Sequence, residues 1–378
     1  MTVWDDVVGQ ESAVAALQGA VANPTAMTHA WLITGPPGSG RSVAARAFAA
    51  ALQCPQGGCG VCQACTTTMA GTHPDVTLLA TEKVVITIDE VRDLIMTASR
   101  SPSGGRWRVI VIEDADRMAE RTTNVLLKTI EEPPPHTVWV LCAPSVQDVL
   151  PTIRSRCRAV VLRVPPPQAV ADLLVRRDGA DPAVALNAAR AAQSHVGLAK
   201  RLARDAGARE RRSAVLSVAR RIRGVGDAVL AAGELVDVAK AEAVSATQER
   251  DAAEKAELLR GLGVADGETL PPRLRSQLKQ LEDDQKRRAT RHQRDVLDRA
   301  MVDLLSLYRD VLVVQLGAEV DLVNAELAET VRSLAADSTP EQTVRRMDSI
   351  GVARTRLGGN VAPLLALEAM TIALRPQG

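Results

Sequence analysis

Aromatic side chains are nearly missing: they make up 2% of 378 residues, with a single tyrosine and a single phenylalanine. Holding single-stranded nucleic acid by stacking needs rings in series, so that mode is excluded. The cores must rest on Ala, Val, Leu and Ile within the 46% of residues that are hydrophobic. Net charge is nearly missing too, at +1 from 46 basic and 45 acidic residues. No global field draws the chain to DNA or to an acidic membrane, and any nucleic-acid contact must be local. No segment reaches the roughly 18–20 uninterrupted apolar residues of a membrane span. The acidic opening MTVWDDVVGQ lacks the apolar core of an export signal. The expectation is a cytoplasmic, soluble protein with no membrane partner.

The length predicts two or three domains. Up to about Val164, short apolar runs alternate with helical patterns, with candidate strands at Ala30–Thr34, Asp75–Leu79, Trp107–Glu113, Thr137–Cys142 and Arg158–Val164. That alternation predicts an α/β domain with a mainly parallel sheet. Pro165-Pro166-Pro167 then breaks the chain as a domain boundary would. The remainder reads as helical: short helices over 166–207, then longer ones over 208–378 that include Val296–Val314 and Pro363–Leu374. Residues 240–300 are strongly charged, with Glu249, Arg250, Asp251, Glu254, Lys255 and Glu257 followed by Glu282, Asp283, Asp284, Lys286, Arg287 and Arg288. Charges of both signs suit a solvated helical hairpin turning near Gly261–Pro272.

Directly after the first candidate strand stands Gly35-Pro36-Pro37-Gly38-Ser39-Gly40-Arg41-Ser42. Its spacing is that of a phosphate-binding loop except that Arg41 replaces Lys. Glycines let backbone N–H groups curl around a phosphate, and the following helix adds its positive N-terminal end. Ser42 stands where a hydroxyl would ligand Mg²⁺. Arginine is a planar fork where lysine is a slender point charge, so ATP or ADP binding stays open while fast hydrolysis is disfavoured. The strand Val109–Ile112 runs into Glu113-Asp114, the reverse of the usual Asp-Glu order. Each carboxylate is displaced by about one methylene, and errors of about 1 Å can cost a hundredfold in rate. The same acids would equally serve as caps of the next helix.

Cys54, Cys59, Cys62 and Cys65 form C-x4-C-x2-C-x2-C with Gly57, Gly58 and Gly60 between them. Four thiolates on short, glycine-eased loops suit a closed tetrahedral site, so structural Zn²⁺ is expected. Cys142 and Cys157 read as ordinary core or element-end cysteines.

Several segments in order make the chain resemble the bacterial clamp-loader branch of the AAA+ family, strongly over about 4–165. They are Trp4 to Gln10, His29-Ala30-Trp31-Leu32 leading into the loop, the cysteine module, Asn124 to Pro134, Ser155-Arg156-Cys157, and Asn360 through Leu365-Ala366-Leu367-Glu368. The resemblance implies a RecA-like AAA+ domain over 1–165 with its zinc module at 54–65. A helical lid would follow over 166–207, and a helical collar that oligomerises over 208–378. It implies that Val7 and Val8 pack against adenine, and that Lys200 in Gly197-Leu198-Ala199-Lys200 stands for the second sensor arginine. Arg156 would be an arginine finger acting on a neighbour's ATP. Partners would be gamma/tau-type and delta subunits in a five-membered ring, the sliding clamp, and primer-template DNA. Arg41, the Glu113-Asp114 order and the apolar Ala143 or Pro144 at the first sensor position depart from a motor subunit. An intact Ser155-Arg156-Cys157 beside them points to a non-hydrolysing stator. Lys200, Arg201, Arg204, Arg209, Arg211 and Arg212 could give a local basic face, although most of them read as solvated charges on helices.

Overall fold

A computed structural model of the chain describes residues 2–23, 27–81, 85–261, 275–359 and 361–376. The hairpin turn expected after Gly261, the Glu249 side chain and Asn360 lie outside the described residues. The chain divides into two units, Met1–Arg204 and Asp205–Gly378.

The first unit holds β1 (Ala30–Thr34), β2 (Val76–Leu79), β3 (Arg108–Ile112), β4 (Thr137–Ala143) and β5 (Arg158–Val161) in one sheet of order β2-β3-β4-β1-β5. Every pairing is parallel. Residues of β1, β3 and β4 are buried at every position, which is why they read as unbroken apolar runs. Side chains alternate between faces. Trp31, Ile33, Val109, Val111, Val138 and Val140 enter one core. Leu32, Ile110, Ile112, Trp139 and Leu141 enter the other.

The first face is covered by α1 (Glu11–Ala22) and α2 (Arg41–Gln53), whose buried run of alanines around Phe48 lets the helix lie close. Phe48 meets Trp31 edge-to-face at 5.0 Å. After α3 (Gln63–Met69), the second face is covered by α4 (Ile88–Ala98), α5 (Glu120–Glu131) and α6 (Pro151–Arg154). Then α7 (Pro167–Asp178), α8 (Pro182–Ala191) and α9 (Val196–Arg204) complete this unit. The expected α/β fold with a parallel sheet is thus present, and the short helices expected over 166–207 begin in the same unit as the sheet.

β5 stops at Val161, short of the predicted Val164, because it is an edge strand that runs into prolines. Leu162 N–H still donates to Thr34 O at 2.6 Å. Beyond it, the Gln10 amide takes over, accepting from Arg163 N–H at 3.0 Å and donating to Arg163 O at 2.6 Å.

The second unit contains α10 (Ala206–Arg221), α11 (Val225–Gly261), α12 (Arg275–Gln315), α13 (Ala328–Ala336), α14 (Pro340–Gly358) and α15 (Pro363–Ala373) around Leu216, Leu304, Tyr308, Ile350 and Leu367. A boundary after residue 207 would cut α10, so the division falls before that helix. The predicted Val296–Val314 is the inner part of α12. Its outer part and the outer part of α11 form the charged pair of helices, joined by Arg288–Glu254 at 2.8 Å and Lys255–Glu282 at 3.1 Å. Among the described residues, none of 248–260 and none of 275–296 is buried. No helix among the described residues is long and apolar enough to cross a membrane.

Arg212, expected as a solvated charge, is instead buried. It donates to Asp303 Oδ1 at 2.9 Å, to Glu326 Oε1 at 3.2 Å, and to the Asn324 side chain. Burial still pushes the Asp303 carboxyl above its ordinary range, with Arg212 opposing it. Truncating one partner of a buried pair leaves the other uncompensated, at a cost of about 3–5 kcal/mol. Arg212→Ala is expected to destabilise the chain by about that amount, read as a lower urea midpoint; an unchanged midpoint would show the pair to be dispensable.

Candidate functional site

The parallel registers set Thr34, Ala143 and Ile112 at one end of the sheet, with β4 between β1 and β3. Gly35 and Glu113 therefore emerge side by side at the C-terminal strand ends, where open α/β sheets bind ligands. Gly38 and Gly40 adopt φ of +87° and +90°, and α2 begins at Arg41. Pro36 and Pro37 are exposed, Ser39 is buried, and Ser42 is half-buried. The strand–loop–helix context of a phosphate loop is present, and the α2 N-terminus supplies backbone donors to an anion.

The charged side chains here are engaged within the chain. Arg41 Nη1 donates back to Gly35 O at 2.8 Å. Glu113 Oε1 accepts from Arg46 Nη2 at 2.9 Å and from Arg46 Nε at 3.2 Å. Asp114 lies 3.9 Å from Arg117. Burial raises the Asp116 carboxyl above its ordinary range. Ala143 and Pro144 bring no polar side chain. With a guanidinium against each of Glu113 and Asp114, these acids are poorly suited to Mg²⁺, and no reaction step is drawn through that ion.

Residues between α8 and α9 approach the same loop. A Cβ on Gly38 would lie 2.7 Å from His195 Cα, so this glycine is required by close packing as well as by its φ. Gln193 and Ser194, at φ of +48° and +65°, turn the chain between α8 and α9 to deliver His195 there. Lys200 Nζ pairs with Asp178 Oδ1 at 2.8 Å, which holds it to α7. Val7 is buried in the core with Val3 and Trp4, and Val8 is half-buried. Gln10 also reaches the loop, donating to Ser39 O at 3.2 Å.

Cys54, Cys59, Cys62 and Cys65 converge at the end of α2 and the start of α3, with their sulfurs within 4.8 Å of one another. The set could hold a metal ion. Backbone N–H groups point at the sulfurs: Gln56 to Cys54 at 3.3 Å, Cys59 to Cys54 at 3.5 Å, and Cys62 to Cys59 at 3.4 Å. Burial alone would raise the Cys54 thiol, but donors from Cys59, Gly58, Gln56 and Cys62 outweigh it and bring it down to about 6. Burial drives the Cys65 thiol well up. Donors already aimed at thiolates are what a metal-binding knuckle needs, so the residues fit Zn²⁺. Val3 N–H donates to Gly58 O at 3.1 Å, and Trp4 Nε1 donates to Gly57 O at 3.3 Å, pinning the module to the N-terminal segment.

Arg156 lies at the opposite end of the sheet, two residues before Arg158, which is in register with Trp31 near the start of β1. Its Nη1 donates to Thr152 O at 2.7 Å and to Ser155 Oγ at 3.2 Å, while Nη2 pairs with Glu131. Beside it is a cavity of about 460 Å³ lined in part by His29, Trp107, Pro134, His136 and Arg158. Arg158 also stacks over Trp31, 4.9 Å from the ring centroid.

Residues 9–166 match the family described as DNA polymerase III, delta subunit. A DNA polymerase III subunit delta' of Pseudomonas aeruginosa is 36% identical over 50% of this chain and 59% of its own length. A DNA polymerase III subunit gamma/tau of Mycobacterium bovis is 34% identical over 45% of this chain and 30% of its own. Over residues 9–166 the chain is similar to clamp-loader delta' and gamma/tau subunits. A solved DNA polymerase III gamma subunit-related protein of Thermotoga maritima aligns with 96% of this chain and 98% of its own, at TM-score 0.41 and 16% identity. These curated clamp-loader relatives are matched over less than two thirds of their own length.

Several residues of the site escaped sequence reasoning. Arg46 stands five residues after Arg41, off the i+3 and i+4 spacings that place side chains on one helix face, so no signal in the sequence marked it. His195 and Glu131 carried no signal, because only the folded chain brings them to Gly38 and Arg156. The glycines of the cysteine module differ in what they face. A Cβ on Gly58, at φ +108°, would meet Val3 Cγ2 at 2.6 Å, whereas one on Gly57 would meet nothing nearer than Val21 at 3.9 Å. Gly58→Ala is expected to lower stability by about 2 kcal/mol or more and Gly57→Ala by about 1 kcal/mol. Equal melting temperatures for the two variants would contradict this packing.

Proposed function

We propose that this chain is a delta-prime, or stator, subunit of the DNA polymerase III clamp loader. It joins gamma/tau-type and delta subunits in a ring that opens the sliding clamp and places it on primer-template DNA in the cytoplasm. One observation carries the reading: Arg156 and the chain's own phosphate loop lie at opposite ends of the same strands. The five residues of β1 span about 16 Å, so Arg156 cannot reach a phosphate held on Gly35–Ser42. A guanidinium there, in Ser155-Arg156-Cys157, serves a nucleotide on another chain. Such a finger stabilises charge on the transferred phosphoryl group and is worth roughly 10³- to 10⁵-fold at the site it serves.

The chain's own loop is read as a nucleotide-binding relic. Arg41 is turned onto Gly35 O, and Glu113 is held by Arg46, so neither phosphate nor attacking water meets the groups that would activate them. ATP or ADP would rest against the glycine loop through backbone donors. Zn²⁺ on the four cysteines is read as structural, closing the loop between α2 and α3. The first unit combines the AAA+ domain with the lid, and the second is read as the collar through which the ring assembles.

An active gamma/tau-type motor is the competing reading, favoured by the 34% identity to the Mycobacterium bovis subunit. Steady-state turnover separates the two: the isolated chain is expected to show no ATP hydrolysis above background, and motor-like turnover would overturn the stator reading. In the assembled complex, Arg156→Ala is expected to leave assembly intact while lowering clamp- and DNA-stimulated ATPase and, more strongly, clamp loading. Wild-type loading by that variant would sink the finger. One zinc per chain is expected by elemental analysis. Acidification should release it as protons compete for the thiolates, whereas metal retention at a pH well below 6 would argue against thiolate ligation.

A further inference from the structure

The finger arginine is held by an acid that lies on the wrong end of its helix. Glu131 is the last residue of α5, where the C-terminal carbonyls already carry partial negative charge and a carboxylate is disfavoured. Prolines 133–135 prevent the helix from continuing. A cation is favoured at this point: Lys128 already lies in the last turn, and Arg156 pairs with Glu131 itself. The guanidinium has five N–H donors in a fixed plane. Nη1 is committed to Thr152 O at 2.7 Å and Ser155 Oγ at 3.2 Å, and Nη2 gives one donor to Glu131. Three acceptors on three sides of one planar group fix both its position and its tilt. The donors left over, on Nε and Nη2, form one edge, and a two-pronged edge is what a phosphate oxygen pair accepts.

We propose that Glu131 is a positioning residue for the Arg156 finger: it orients the guanidinium so that its Nε/Nη2 edge is presented to the neighbouring subunit's nucleotide phosphate. This rests on reading Arg156 as a finger. Glu131 touches no phosphate itself. The pair is partly exposed, at 39% for Arg156 and 45% for Glu131. Its contribution to holding Arg156 is therefore modest, because solvent screens it. The contact with Glu131 therefore biases the orientation of Arg156 rather than fixing it. The support also links the chain's two ends. α5 starts just after the Glu113–Asp116 turn and runs 12 residues, about 18 Å at the rise of an α-helix, to Glu131.

The test uses the reconstituted clamp-loader complex, with the variant chain, gamma/tau-type and delta subunits, and clamp- and DNA-stimulated ATPase resolved into kcat and KM. Arg156→Ala must first lower kcat. If it does not, the finger reading itself fails, and that outcome is distinct from failure of the Glu131 role. Given that loss, Glu131→Ala is expected to lower kcat by about two- to fivefold, the size of an exposed ion pair's coupling, with the KM for ATP within about twofold. Glu131→Gln should stay within about twofold of wild type in kcat, because its amide oxygen still accepts from Nη2. Adding Glu131→Ala to Arg156→Ala should cost nothing more, since the residue acts only through the finger. A wild-type kcat for Glu131→Ala, a loss additive with Arg156→Ala, or a loss as large in Glu131→Gln would each overturn the proposal. Should Glu131→Ala fail to fold, Glu131→Asp takes its place with the same expectation, because its shorter arm withdraws from Nη2.

Discussion

Burial of the parallel sheet on both faces is the constraint from which the rest of the first unit follows. β1, β3 and β4 have no solvent-facing side, so their backbone groups must be satisfied along the ladder and their side chains packed on two helical layers. Polar chemistry is thereby expelled to the strand ends. At one end the glycine loop and the Glu113-Asp114 turn meet across β4. At the other, Arg156 and Arg158 meet the His29 and His136 region. A single sheet thus carries two charged ends that cannot reach each other.

At the loop end, charges are satisfied inside the chain. Arg46 holds Glu113, Arg41 bonds to Gly35 O, and Lys200 holds Asp178. Each arrangement is locally stabilising, and together they leave the catalytic-looking groups paired in advance. The turn between α8 and α9 brings His195 onto Gly38 through two consecutive left-handed residues, Gln193 and Ser194. Such backbone costs of order 1–3 kcal/mol each and persists where surrounding packing imposes it. This approach is accordingly a built contact in this unit.

Elsewhere the scarcity of aromatics shapes the packing. Trp31 and Phe48 meet in the first core, Trp139 lies in the second, and the one tyrosine is buried in the helical unit. The remaining volume is filled by small and aliphatic side chains, which lets α2 approach the sheet closely. The second unit instead relies on a buried polar network, where Asp310 accepts from Val323 and Asn324 N–H at 3.0 and 2.7 Å and Arg212 ties α10 to α12 through Asp303. These bonds secure the segment between α12 and α13, which has few apolar groups to bury.

Much was legible in the residues themselves. The parallel sheet, the glycine loop between strand and helix and the cysteine cluster were all readable, because each rests on short-range signals: continuous apolar runs, glycines at a set spacing, and thiols close along the chain. The fate of individual charges was not. Arg212 in the interior, Arg46 on Glu113, Lys200 on Asp178 and Glu131 on Arg156 join residues that sequence reasoning had listed apart or passed over. A charge run looks alike whether it is solvated or paired, since composition records valence but not distance, and the energy of an ion pair depends on distance and burial. The sequence by itself determined which backbone would be buried and which residue types would stand at the strand ends. Only the tertiary structure decided which partner each charge would find, because those pairings join residues as far as 114 positions apart, as for Arg212 and Glu326, and form once the helices are packed.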